Sequence, residues 1–114
     1  MDGSKQDARE FAALTPAVFH IALALADGEK HGYAIMQDVE RQTEGALRLG
    51  PGTLYGTLKR MLADGLISEA GEEERRRYYR LTMLGRKVAK AEALRLAALV
   101  REARMKKLLK VEAL

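Results

Sequence analysis

From Thr15 onward, three short helical repeats punctuated by proline and glycine give way to a run of alternating residues, and then to one long helical repeat. Thr15 can cap the first helix, and Pro16 takes the position where a missing N–H costs nothing. "AVFHIALALA" then continues to Asp27 and Gly28, which end it. Val18, Ile21, Ala22 and Leu25 occupy one face, with Phe19, Leu23 and Ala26 beside it. A chain of 114 residues forms one small domain, which cannot bury both sides of such a helix, so a second subunit is expected to cover part of it.

The second helix is predicted over His31 to Thr43, with Ile35, Met36 and Val39 inward and Gln37, Asp38, Glu40 and Arg41 outward. "TEGALRLGPG" connects it to the third, and within it Leu47 and Leu49 alternate around Arg48 like a short edge strand. The third helix opens at Pro51 and stops at Asp64 and Gly65. "LISEAGEEERRRYYRL" reads as a hairpin, with Leu66 and Ile67 starting one strand, Gly71 near the turn, and Tyr79 and Leu81 alternating with Tyr78 and Arg80 on the other. Thr82 restarts a helix that can run, with only Gly85 against it, to near the C-terminus. Polar residues 1–10, with Gly3 and Ser4, are expected to form a disordered arm.

That order is mainly α with a small β-hairpin, the order of a winged helix-turn-helix over residues 11–81 with an added C-terminal helix over 82–114. Charge divides along the same lines. Residues 1–45 hold 4 Lys/Arg and 8 Asp/Glu, whereas the remainder hold 16 and 8, so a net +4 conceals a strongly basic second part. This asymmetry points to a polyanionic partner, against the plainer alternative of a solvated basic helix. The chain has no cysteine, excluding disulfides and thiolate metal sites. No long uncharged apolar run and no secretion signal is visible, so the expectation is a soluble, cytoplasmic protein that does not engage a membrane. His20 and His31 have no companions at metal-ligand spacing, no phosphate-binding or dinucleotide fingerprint occurs, and Glu72 to Glu74 are a charge run rather than a positioned acid and base. Neither an enzyme nor a cofactor is expected.

The third helix carries the sharpest signal. Advancing about 100° per residue gathers Leu54, Leu58, Met61 and Leu62 into an inward stripe. Opposite them lie Gly52, Gly56, Lys59, Arg60 and Ala63, flanked by Thr53 and Tyr55. Each glycine costs a helix roughly 1 kcal/mol relative to alanine. A bare strip with two cations suits close approach to a DNA major groove, which admits a helix and is read mainly from its first turns. The small-xxx-small spacing of Gly52 and Gly56 also suits helix–helix packing, although Lys59 would be a poor buried neighbour.

"HGYAIMQDVERQTEGALRLGPGTLYGTLKRMLADGLI" followed by "RRRYYRLTMLGR" closely resembles the PadR family of bacterial transcriptional regulators, over about Leu14 to Arg86. The resemblance implies a homodimeric winged-helix protein, commonly a repressor, with the helix from Pro51 in the major groove of a double-stranded operator and the hairpin on flanking DNA. It implies that the helix after Thr82 pairs subunits, as in the short-chain branch of the family. Tyr33 and Tyr55 match the family's aromatic marks; Tyr33 reads as core packing, Tyr55 as phosphate contact or packing. The DNA-binding set is therefore Gly52, Thr53, Tyr55, Gly56, Lys59 and Arg60, joined by Arg76 and Arg77 from the wing. Glu72 to Glu74 depart from the family, because carboxylates at the tip would be repelled by phosphate and could instead hold the arginines in cross-strand ion pairs.

The last helix shows two apolar stripes and so should meet two neighbours. Val88, Ala91, Leu94, Ala98, Met105 and Leu109 make the broader one, and Leu96, Val100 and Ala103 the other. With Val18, Phe19 and Leu23 of the first helix, the broader stripe is the expected dimer interface. The resemblance places a small-molecule inducer cavity between the paired helices; with no Trp there, a flat aromatic ligand has no stacking platform. A protein-docking module using the same bare helix is the alternative reading of function.

Overall fold

The computed structural model describes residues 13–110. Its elements are α1 (Pro16–Leu25), β1 (Lys30–His31), α2 (Gly32–Gln42), α3 (Pro51–Ala63), β2 (Ile67–Glu73), β3 (Arg76–Leu81) and α4 (Met83–Met105). The arm expected over residues 1–10 lies outside the described residues.

Local chemistry fixes most boundaries. Thr15 caps α1 by accepting from the Val18 N–H at 3.3 Å, with Pro16 in the first turn. Thr82 caps α4 by accepting from the Gly85 N–H at 2.9 Å, while its own hydroxyl donates to the Gly65 carbonyl at 2.6 Å and its N–H to the Leu66 carbonyl at 3.0 Å. One Thr thus joins the end of α3 to the start of α4. After α3, Gly65 turns left-handed at φ +78°, and the N–H of Leu66 closes back on the Met61 carbonyl.

Ile21 and Leu25 of α1, Ile35 and Val39 of α2, and Leu54, Leu58 and Met61 of α3 meet in one core, closed by Ile67 and Tyr79 of the sheet and Val88 of α4. The three short helices therefore bury a shared apolar surface, the main stabilising contribution at roughly 25 cal/mol per Å².

The sheet is antiparallel with order β1-β3-β2. The edge strand is not where Leu47 and Leu49 alternate. That connection is coil, held by Thr43, whose hydroxyl oxygen accepts from the Leu47 N–H at 3.0 Å, and its alternation reflects Leu49 buried and Leu47 packed against the core. Lys30 and His31 pair instead with Tyr79 and Tyr78. With β2 on its other side, β3 has both edges filled. Lys30 also ties this edge to α1, its ammonium donating to the Ala24 carbonyl and to Asp27.

The hairpin turn lies at Glu74 and Arg75, both left-handed at φ +53° and +67°, rather than near Gly71. Two consecutive left-handed residues make the tight turn that matches strand twist. Gly71, at φ +128°, follows the register shift between Glu69 and Gly71, where a bulge needs its freedom.

Two expectations for the last helix also change. Val88 is buried in the chain's own core, on a stripe with Gly85 and Glu92, and cannot belong to an outward face. Leu109 lies beyond the helix, because α4 ends at Met105: Lys107 turns left-handed at φ +66°, and the N–H groups of Lys107 and Leu108 return to the carbonyls of Arg104 and Ala103.

Candidate nucleic-acid interface

The site is built on α3. Leu54, Leu58 and Met61 fasten one side to the core, leaving Gly52, Thr53, Gly56, Lys59, Arg60 and Ala63 exposed on the other. A Cβ added at Gly52 or Gly56 would meet no atom within 4 Å. The bare strip therefore has no packing explanation within the described chain. Neither Lys59 nor Arg60 forms an ion pair among the described residues, so both charges are available to a partner. The helix opens at Gly50 and Pro51 without a side-chain cap, which leaves its first N–H groups facing solvent.

Of the two roles named for Tyr55, the structure shows packing. Half of the residue is exposed, yet its ring lies over Gly32 so closely that a Cβ there would overlap the phenolic oxygen. Gly32 thus lets the Tyr55 ring lie directly against the start of α2 at this corner. Tyr33 is not a core residue: it is 57% exposed, on the solvent side of α2 beside the same corner. Its place follows from helix phase, since Ile35 and Val39 own the buried stripe.

The wing reaches this corner from the other side. Arg76 extends to His31, with Nη1 3.1 Å from Nε2. Arg77 approaches Glu69 at 3.7 Å, with both side chains more than half exposed, so this pair holds the arginine weakly. The Glu72 to Glu74 carboxylates are exposed and, among the described residues, hold neither Arg75 nor Arg76 in an ion pair. Sequence reasoning passed over His31. Its signal was position: a His directly before a helix start can cap it, and here Nδ1 accepts from the Ala34 N–H at 3.2 Å.

A second surface lies away from this corner. Leu23 of α1 and Leu94, Leu99 and Met105 of α4 are exposed, together with Ala91 and Ala98. Phe19 is half-buried, and Val18 leans on the core. Among the described residues there is no cluster of His, Asp or Glu arranged to hold a metal ion, and no helix is long and apolar enough to cross a membrane.

The family model described as "Transcriptional regulator PadR-like family" matches residues 21–91. A transcriptional regulator of Mycobacterium tuberculosis is 38% identical over 86 residues, covering 73% of this chain and 78% of that protein. An uncharacterised 37.1 kDa protein from a transposon of Streptomyces fradiae is 46% identical over 79 residues, 69% of this chain; the match spans only 22% of that protein. Among solved structures, a transcriptional regulator from Clostridium thermocellum superposes with a TM-score of 0.69 at 27% identity, covering 89% of this chain and 93% of the other. The Bacillus subtilis PadR crystallised with operator DNA shares the fold, with a TM-score of 0.59 at 20% identity over 68% of this chain and 45% of that one.

Proposed function

Since the chain belongs to the PadR-like family of transcriptional regulators, we propose that it is a sequence-specific, homodimeric DNA-binding repressor that places α3 in the major groove of a pseudo-palindromic operator. The observation that carries this reading is the outward strip of α3, where Gly52 and Gly56 keep the backbone bare and Lys59 and Arg60 stand unpaired among the described residues. Thr53 and Tyr55 flank the strip for base or phosphate contact, and Arg76 and Arg77 extend the cationic surface from the wing. That the Bacillus subtilis PadR of the same fold was crystallised with operator DNA supports DNA as the partner.

Pairing would bury Leu23, Ala91, Leu94, Ala98 and Met105, exposed apolar residues that one subunit leaves uncovered. A two-fold dimer fixes the separation of its two recognition helices, so half-sites about 34–36 Å apart are expected. An inducer held between paired α4 helices would release DNA by favouring a different separation.

Selection of bound sequences from a random duplex pool, followed by a salt titration on the winner, tests the whole reading. The expected result is an inverted-repeat site whose affinity falls steeply with salt, each neutralised phosphate adding about −0.9 to the log–log slope. Lys59→Glu should abolish specific binding. A weak salt response with no selected sequence would favour a protein-docking module instead. Sedimentation should show a dimer at micromolar concentration.

A further inference from the structure

A cluster of hydrogen-bond donors adjoins α3. His31 Nδ1 accepts the Ala34 N–H at 3.2 Å, so in the neutral ring the proton resides on Nε2. Arg76 Nη1 stands 3.1 Å from that same Nε2, and a guanidinium only donates. Two donors therefore face each other with no acceptor between them. Moving the ring proton to Nδ1 would satisfy Arg76 but set Nδ1–H against Ala34 N–H, and a doubly protonated ring would oppose both neighbours. Every protonation state leaves at least one pair of donors opposed, and an oxygen anion bridging Nε2–H and the guanidinium resolves the conflict that the cap creates.

The surroundings suit such an oxygen. His31 and Arg76 open into a pocket with Tyr33, Tyr55, Arg75 and Arg77 on its walls. Both tyrosines are at least half exposed and place hydroxyl-bearing rings at its rim. Among the described residues the one carboxylate paired with these arginines is Glu69, 3.7 Å from Arg77 and exposed. The first turn of α2 adds the positive end of an 11-residue helix.

We infer that this pocket, between the start of α2 and the wing, holds one backbone phosphate of the bound duplex, with His31 and Arg76 as its paired donors. The inference rests on the DNA-binding reading above and adds to it two residues, His31 and Tyr33, that lie outside α3 and outside the wing. A duplex phosphate is favoured over a free anion because the pocket shares Tyr55 with the bare strip of α3, so a strand bordering the groove passes its mouth. A contact of this kind sets register and adds affinity without reading sequence.

The experiment uses the full chain and the duplex selected from the random pool, with single phosphates replaced in turn by neutral methylphosphonate. His31→Asn retains a good helix cap but lacks the Nε2 donor, and Arg76→Gln removes the guanidinium. Each variant should bind the unmodified duplex about a hundredfold more weakly, as expected for one hydrogen bond to a charged group, worth about tenfold, lost in each half-site. Arg76→Gln, lost from both subunits of the dimer, should also reduce the magnitude of the salt slope by about 1.8, about 0.9 for the phosphate of each half-site. One methylphosphonate position in each half-site should weaken the wild type by a similar factor and weaken each variant, which keeps only one of the two donors, by clearly less.

If both variants bind as the wild type does, or no phosphate position couples to them, the pocket assignment falls while DNA binding stands. If the wild type shows no salt-dependent DNA binding, both readings fall. Inorganic phosphate shifting the His31 ring resonances at lower concentration than the duplex would assign the pocket to a free anion and overturn the duplex assignment. Thermal unfolding checks the fold of each variant; should His31→Asn unfold, Arg76→Gln, on the exposed wing, decides the matter through its slope and phosphate coupling.

Discussion

Glycines in this chain do opposite jobs, and substitution by alanine separates them. At Gly56 the added methyl enters open space, so Gly56→Ala should gain about 1 kcal/mol of helix propensity and raise the melting temperature by several degrees. It should at the same time weaken DNA binding by holding α3 away from the groove. At Gly85 an added Cβ would overlap the Leu66 carbonyl oxygen, so Gly85→Ala must displace α4 from the end of α3 and should cost about 3 kcal/mol or more. Calorimetry on both variants beside duplex affinity for the first checks the contrast. Gly56 was legible in the sequence because a helical wheel alone sets it opposite Leu54 and Leu58. Gly85 was not: in the sequence it registers only as a weak spot in a helix, and its reason is a carbonyl from another element. Tyr33 misled for a related cause, since an aromatic beside an apolar run reads as core until the phase of α2 is fixed by Ile35 and Val39.

Helices were readable where a cap or proline announces them, as at Thr15, Pro51 and Thr82, because these signals act within one turn and need no tertiary partner. Strands depended on pairing. Lys30 and His31 form an edge too short to show alternation, and only the presence of β3 makes them a strand. The wing shows the same dependence, because register with Arg76 and Arg77 decides which residues turn, and it selects Glu74 and Arg75 despite Gly71 nearby. A left-handed conformation at a non-glycine residue costs about 1–2 kcal/mol. Replacing Glu74 and Arg75 together by Asn and Gly, the pair best suited to this turn, should therefore stabilise the protein by about 1–2 kcal/mol, measurable in urea as a higher midpoint at an unchanged slope. Since Arg75 lines the pocket beside His31, the same variant should bind duplex DNA less tightly, a gain in stability set against function.

Across the whole molecule, α4 joins the parts that any dimer must move together. Its inner stripe of Gly85, Val88 and Glu92 faces the chain's own body, which leaves Leu94 and Ala98 outward. Among the described residues Glu92 is the one buried charged side chain, gripped by Arg95 through two contacts of 2.9 Å and 2.6 Å. The Arg95 hydrogen bond holds its carboxyl below the usual glutamate range against the opposing effect of burial, helped by the charge of Arg95 and by the backbone N–H groups of Leu14 and Ala13. Those last contacts link the segment before α1 to the middle of α4. A carboxyl whose pKa is lower folded than unfolded binds fewer protons in the folded state, so its stabilisation is complete above the unfolded value of about 4.3 and is lost as pH falls through the lower folded value. Asp27, lowered chiefly by its hydrogen bond to Lys30, acts with the same sign. Glu92→Gln cannot titrate, so it should be less stable than the wild type at pH 7 and lose less on acidification. The two melting temperatures should converge between pH 7 and pH 3, with the remaining acid sensitivity of the variant reporting Asp27 and the other carboxylates. Parallel curves, with a constant gap at every pH, would mean that Glu92 is not charged in the folded protein and that α4 is held to the segment before α1 by shape alone.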